Sequence, residues 1–278
     1  METIISVDGT KIAFDRHVGG GTATVILIGG AFSYRTSPKM VELAQTLAAG
    51  HGLTVLNYDR RGRGDSGDTP GVYDVEREID DLAALAEAAG VPTALFGWSS
   101  GATLALRAAA SGRVAGIRRV VAFEPPFVVD RDYHVPPPDL GPMLHELVAA
   151  NRRSETVRFY MTQGMGIPAG LVTFMRILPI WQKLKATANS TPHDWAVVGK
   201  FMRGEPLDPK HWATVNVPTL VISGGKSDPL LRKAARSITE VLPNAEHLEV
   251  PKLSHNPNAK LLARATADFL TNADTTKR

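Results

Sequence analysis

Two rhythms of apolar and polar positions run through this chain. Short apolar stretches at 23–28, 53–58, 93–96, 119–123 and 218–223 have the length of strands covered on both faces. Between them lie segments with apolar residues at helical spacing. In 75–89 the stripe is Ile79, Leu82, Leu85, Ala86 and Ala89, followed by Gly90 and Pro92. In 38–49 it is Met40, Leu43, Ala44 and Leu47, and Gly50 is expected to end that helix. Residues 3–7 and 11–18 predict two strands joined at Asp8-Gly9, a hairpin turn signal. Gly19-Gly20-Gly21 is a flexible break. Further helices are predicted at 102–110, 230–242 and 258–270, and a further strand at 246–250. The tail 272–278 is polar and expected to fray.

The alternation stops between about 127 and 212. Pro125-Pro126 and Pro136-Pro137-Pro138 break the chain, and a helical stretch rich in Met, Phe and Trp follows. Alternating strands and helices on either side imply a mostly parallel α/β sheet with helices on both faces. The break predicts a helical cap inserted into that core. The expected domains are therefore a core of 1–126 and 213–278 with a cap of 127–212.

Composition narrows the function classes. A length of 278 residues with 44% hydrophobic and 21% charged residues fits one large globular domain with an insertion. The surplus of 31 basic over 28 acidic residues is small and forms no block, so a nucleic-acid partner is not expected. The chain has no cysteine, which excludes a thiol nucleophile and thiolate metal sites. No apolar run reaches membrane length and the start does not resemble a signal peptide, so no membrane partner and a cytoplasmic location are expected. Oligomeric state is not encoded in any pattern found.

The chemistry centres on Gly97-Trp98-Ser99-Ser100-Gly101, which lies between a predicted strand and a predicted helix. A serine on a sharp strand-to-helix turn is exposed above the sheet. Glycines two residues to either side leave room where a Cβ would collide with the neighbouring strand or helix. The helix start behind the serine favours negative charge. A serine hydroxyl needs a base, a group that orients the base, and donors for the oxyanion. Asp228 follows the strand 218–223, and His255 follows the strand 246–250. The order Ser99, Asp228, His255 is that of a strand–turn–helix hydrolase, and differs from other serine hydrolase folds. His51, His134, His145, His193 and His211 have no partner at suitable spacing, and His247, inside a predicted strand, is expected at the surface.

Five segments together resemble the α/β-hydrolase fold family, in its branch of serine esterases and cofactor-free haloperoxidases. They are Ile26-Leu27-Ile28-Gly29-Gly30-Ala31, the loop Asp59 to Ser66, the Ser99 turn, the strand and loop Thr219 to Asp228, and Leu253-Ser254-His255. The resemblance implies a mostly parallel α/β-hydrolase sheet with helices on both faces and an inserted helical cap. It also implies that the backbone N–H groups of Ala31 and Ser100 form the oxyanion hole. The family usually has His-Gly where this chain has Gly29-Gly30, which is expected to loosen that loop. Some members place the acid at the end of the preceding strand, which makes Glu124 the alternative to Asp228.

The loop Asp59-Arg60-Arg61-Gly62-Arg63-Gly64-Asp65-Ser66 could bind phosphate, but it opens no helix and the chain lacks a P-loop motif. Arg60 and Arg61 are expected to pin the loop by hydrogen bonds. The expected activity is a serine hydrolase acting on a small or medium apolar carboxylic ester through an acyl-enzyme, with no cofactor and no metal. The alternatives are a thioester, lactone or C–C bond hydrolase or a perhydrolase in the same site, or a non-catalytic small-molecule binding protein on the same fold. The bulky residues Met161, Phe174, Trp181, Trp195 and Phe201 are expected to divide between packing within the cap and facing the cleft.

Overall fold

The computed structural model describes residues 1–69, 73–90 and 92–271; the tail 272–278 lies outside them. Eight strands are β1 (Glu2–Ile5), β2 (Lys11–His17), β3 (Thr24–Ile28), β4 (Thr54–Tyr58), β5 (Thr93–Trp98), β6 (Ile117–Phe123), β7 (Thr219–Gly224) and β8 (Ala245–Val250). They form one sheet in the order β1-β2-β4-β3-β5-β6-β7-β8. The pairs β1/β2 and β2/β4 are antiparallel, and every other neighbouring pair is parallel. The helices of the core are α1 (Pro38–His51), α2 (Val75–Ala89) and α3 (Ser100–Ser111). Between β6 and β7 come α4 (Leu140–Ala149), α5 (Arg153–Phe159), α6 (Ala169–Met175), α7 (Ile180–Ala186) and α8 (Thr191–Val198). Then follow α9 (Pro229–Val241) and α10 (Ala259–Thr271).

The apolar strands are buried on both faces because successive side chains point opposite ways. Val25 and Leu27 of β3, Phe96 of β5 and Phe123 of β6 pack with Leu43 and Leu47 of α1 and Leu262 of α10. Ile26, Ile28, Leu95 and Ala122 point to the other face, against Leu82 and Leu85 of α2, Leu104 of α3 and Ile238 of α9. The strand order steps from β3 outward to β4, then crosses back over β3 to β5. This reversal opens a crevice at the carboxyl ends of the central strands, where α/β sheets bind ligands.

Helix α1 runs one residue past Gly50 to His51, and Gly52 is the residue that ends it, with φ 74°. Gly52 N–H donates to the Ala48 carbonyl, the bond of a left-handed helix cap, and Leu53 N–H donates back to the Leu47 carbonyl. Gly50 keeps helical geometry, so the left-handed residue, and not the first glycine, marks the stop.

Candidate functional site

Ser99 sits between β5 and α3 with φ 56° and ψ −121°, a conformation that side-chain-bearing residues rarely hold. The crowding expected of this turn is present. A Cβ on Gly97 would lie 2.2 Å from the Gly101 carbonyl oxygen, and one on Gly101 would lie 2.2 Å from that of Ile28. The Ser99 N–H donates to Phe123 at 2.9 Å, which ties the turn to the end of β6. Two more residues without glycine's freedom take positive φ in the adjacent strand-end loops: Phe32 (61°) after β3 and Glu124 (50°) after β6.

His255 follows β8. Its ring packs beside both Trp98 and Phe123, each with its ring centre 6.3 Å from the imidazole. Its Nδ1 is 2.6 Å from Oε2 of Glu124. Glu124 is fully buried, and its second oxygen, Oε1, accepts the Gly224 N–H at 2.7 Å. The carboxylate is therefore held at both oxygens, and the positive φ of Glu124 turns it from the end of β6 toward the imidazole.

The geometry pairs His255 with Glu124, the alternative acid, and not with Asp228. Asp228 is exposed and stands at the N-cap of α9, where its Oδ1 accepts the Leu230 N–H at 2.8 Å. The imidazole nitrogen that it was expected to hold is occupied by Glu124. An acidic residue directly after the buried apolar end of a strand, in Val120-Val121-Ala122-Phe123-Glu124, was the signal available in the sequence. A carboxylate there must be buried, and a buried carboxylate needs a partner.

Ala31, Ser99, Ser100, Asp228 and His255 all border one cavity of about 390 Å³. Tyr160, Met165, Val198 and Met202 from the segment between β6 and β7 close over it, with Leu230 and Leu231 of α9 at its side. None of the five bulky residues singled out from the sequence lines it. Met161 and Trp181 pack in a small cluster with Val157 and Val172. Trp195 and Phe201 join the main core, and Phe174 is exposed. The helical register places their neighbours Tyr160, Val198 and Met202 on the cavity side instead. His134, set aside in the sequence, also reaches the cavity and bonds through Nε2 to the Gln163 carbonyl at 2.7 Å. A larger depression of about 520 Å³ lies among Arg152, Arg153, Gln182 and Lys185, away from Ser99 and His255. Among the described residues, no cluster of three or more His, Asp or Glu could hold a metal ion.

The arginine loop after β4 folds inward behind this cavity. Arg60 forms a two-pronged pair with Glu78, at 2.6 and 2.7 Å, and reaches Asp194 of α8 at 2.8 Å. Arg61 pairs in the same way with Asp81, at 2.7 and 2.8 Å. Both arginines thus pin the loop, as expected. Arg63 adds a third anchor, with 2.6 Å to Asp194. The loop at Gly29-Gly30 is not loose: Ser33 Oγ donates to the Gly30 carbonyl at 2.8 Å, and Arg63 donates to it at 2.7 Å.

Burial alone would raise the Glu78 carboxyl, but the Arg60 guanidinium overrides it and holds Glu78 down at about 2. Asp194 is also lowered: burial opposes this, and Arg63 and Arg60 prevail. A carboxylate depressed in the folded state stabilises the fold above its unfolded pKa and loses that contribution as pH falls. For Glu78 the window runs from about 4.5 down to about 2, and the contribution is on the order of 3 kcal/mol. Urea midpoints measured from pH 6 to pH 3 are expected to fall more steeply for wild type than for Glu78→Gln. Parallel curves would remove Glu78 from the acid response.

No helix among the described residues is long and apolar enough to cross a membrane. The sequence model of the Alpha/beta hydrolase family matches residues 20–265. Among solved structures, an alpha/beta hydrolase from Sphaerobacter thermophilus DSM 20745 is 42% identical, covering 97% of this chain and 100% of its own, with a TM-score of 0.87. An esterase from Exiguobacterium antarcticum is 18% identical over 97% of this chain and 99% of its own, with a TM-score of 0.70. A bromoperoxidase from Bacillus anthracis is 18% identical over 98% of this chain and 100% of its own, with a TM-score of 0.69. At that identity the last two share the fold alone. No curated protein matches the chain.

Proposed function

The chain belongs to the alpha/beta hydrolase family, and from that premise we propose that it is a serine hydrolase of small or medium apolar carboxylic esters, with Ser99, His255 and Glu124 as its triad. The observation that carries this is the buried Glu124 carboxylate at 2.6 Å from His255 Nδ1, with His255 and the strained Ser99 bordering one cavity. Opposite a carboxylate, Nδ1 carries the proton, which leaves the Nε2 lone pair free to act as base.

Ser99 Oγ attacks the acyl carbon while His255 Nε2 takes its proton. The N–H groups of Ala31 and Ser100 stabilise the oxyanion, and the start of α3 adds its positive end. The imidazolium returns the proton to the leaving alcohol, and Glu124 stabilises the charged ring meanwhile. Water then repeats the sequence on the acyl-enzyme. The ester preference rests on the aromatic, thioether and aliphatic lining from Tyr160, Met165, Val198, Met202 and Leu230, which suits an apolar acyl or alcohol group. The segment 127–212 supplies four of these five side chains and acts in this reading as a cap that selects the substrate.

A fluorophosphonate probe is expected to label the protein once per chain, with the adduct on the peptide that contains Ser99. The same preparation should hydrolyse p-nitrophenyl butyrate. A protein inert to both would be a binding protein on this fold, and the hydrolase reading would fall.

A further inference from the structure

Arg63 lies in the loop after β4 with no exposed guanidinium surface, and every one of its nitrogens is engaged. Its Nε donates to Ser190 Oγ at 2.9 Å, and its Nη2 to Asp194 Oδ2 at 2.6 Å. Its Nη1 donates to the Gly30 carbonyl at 2.7 Å and to the Ser33 carbonyl at 3.2 Å. The Gly30 carbonyl belongs to the same planar peptide unit as the Ala31 N–H. A cation on that oxygen fixes the plane of the peptide and polarises the N–H on its other side. The loop it holds is already pressed on the nucleophile turn, since a Cβ on Gly30 would lie 2.8 Å from the Trp98 carbonyl oxygen and 3.0 Å from Ser99 Cβ.

Asp194 links this peptide to the other donor. Its Oδ2 holds Arg63, and its Oδ1 accepts Ser100 Oγ at 2.8 Å, while Ser100 also carries the second oxyanion N–H. Asp194 is fully buried and belongs to α8, in the segment between β6 and β7. Both donors are therefore braced from a helix far away in sequence.

We propose that Arg63, seated on Asp194, is the positioning residue of the oxyanion hole: it aims and polarises the Ala31 N–H through the Gly30 carbonyl. This rests on the serine hydrolase reading above. Arg63 touches no substrate, so its effect must appear in the stabilisation of the tetrahedral state, with substrate binding little changed.

Arg63→Lys keeps the charge beside Asp194, but one ammonium cannot span the Gly30 carbonyl, Ser190 and Asp194 together. It is expected to fold, to lower kcat on p-nitrophenyl butyrate by about 10- to 10²-fold, and to leave KM nearly unchanged. The scale follows from the about 10²–10³-fold cost of losing one oxyanion donor outright. Inhibition by a trifluoromethyl ketone, which forms the tetrahedral adduct, should weaken by the same factor as kcat. A merely structural arginine would shift the melting temperature without this match. Should Arg63→Lys fail to fold, the isosteric Asp194→Asn carries the same measurement, with a smaller fall in the same direction. A folded variant with unchanged kcat and unchanged ketone affinity overturns the proposal alone. A wild type inert to ester and fluorophosphonate overturns the hydrolase reading and this proposal with it.

Discussion

Glu124→Gln is expected to lower kcat by about 10³–10⁴-fold, while Asp228→Asn changes it by no more than a few-fold. The two oxygens of Glu124 face two donors, the His255 Nδ1–H and the Gly224 N–H. Glutamine has one carbonyl oxygen and one NH2 group, so one of those donors must then meet another donor. If the amide turns its oxygen to Gly224, its NH2 favours the imidazole tautomer with the lone pair on Nδ1, and the base is lost from Nε2. If it turns the other way, the buried Gly224 N–H is unpaired. Asp228, by contrast, caps α9, and asparagine is an equally good cap residue. Steady-state rates on p-nitrophenyl butyrate, with circular dichroism to show that both variants fold, decide the matter. A reversed ranking would return the acid to Asp228.

Ser99→Ala is expected to lower kcat by about 10³-fold or more and to abolish fluorophosphonate labelling. The residual rate comes from the oxyanion donors and from binding, which the substitution leaves in place. The backbone at this position is strained for alanine as it is for serine. The melting temperature should therefore stay close to that of wild type, which separates lost chemistry from lost structure. Wild-type turnover by the purified variant would show that the nucleophile lies elsewhere.

The strained turn at Ser99 was legible because its requirements are local. Gly97 and Gly101 stand where the backbone of a neighbouring element comes within van der Waals contact, and only glycine fits. The sheet was legible because strands buried on both faces leave unbroken apolar runs, and the insertion because that rhythm stops at Pro125-Pro126. Which carboxylate pairs with His255 was not. Glu124 and Asp228 both stand at strand ends, and which carboxylate reaches the imidazole depends on a φ of 50° at one residue. Nor could the partners of Arg60 and Arg63 be read, because Asp194 is 134 and 131 residues away from them in sequence. The lining of the cavity depends on the rotation of short helices, which bulk alone does not encode.

Phe32, Ser99 and Glu124 hold left-handed backbone angles at three neighbouring strand ends. Each such residue costs of order 1–3 kcal/mol, against a total stability of about 5–15 kcal/mol for a typical domain. Glycine at any of the three would relax the chain, and at two of them it would delete the proposed nucleophile or the carboxylate that holds His255. Heat tolerance and turnover therefore pull these positions in opposite directions. Laboratory selection of this protein for thermal endurance alone would reward the loss of its chemistry, so a directed-evolution campaign must screen survivors for turnover in every round.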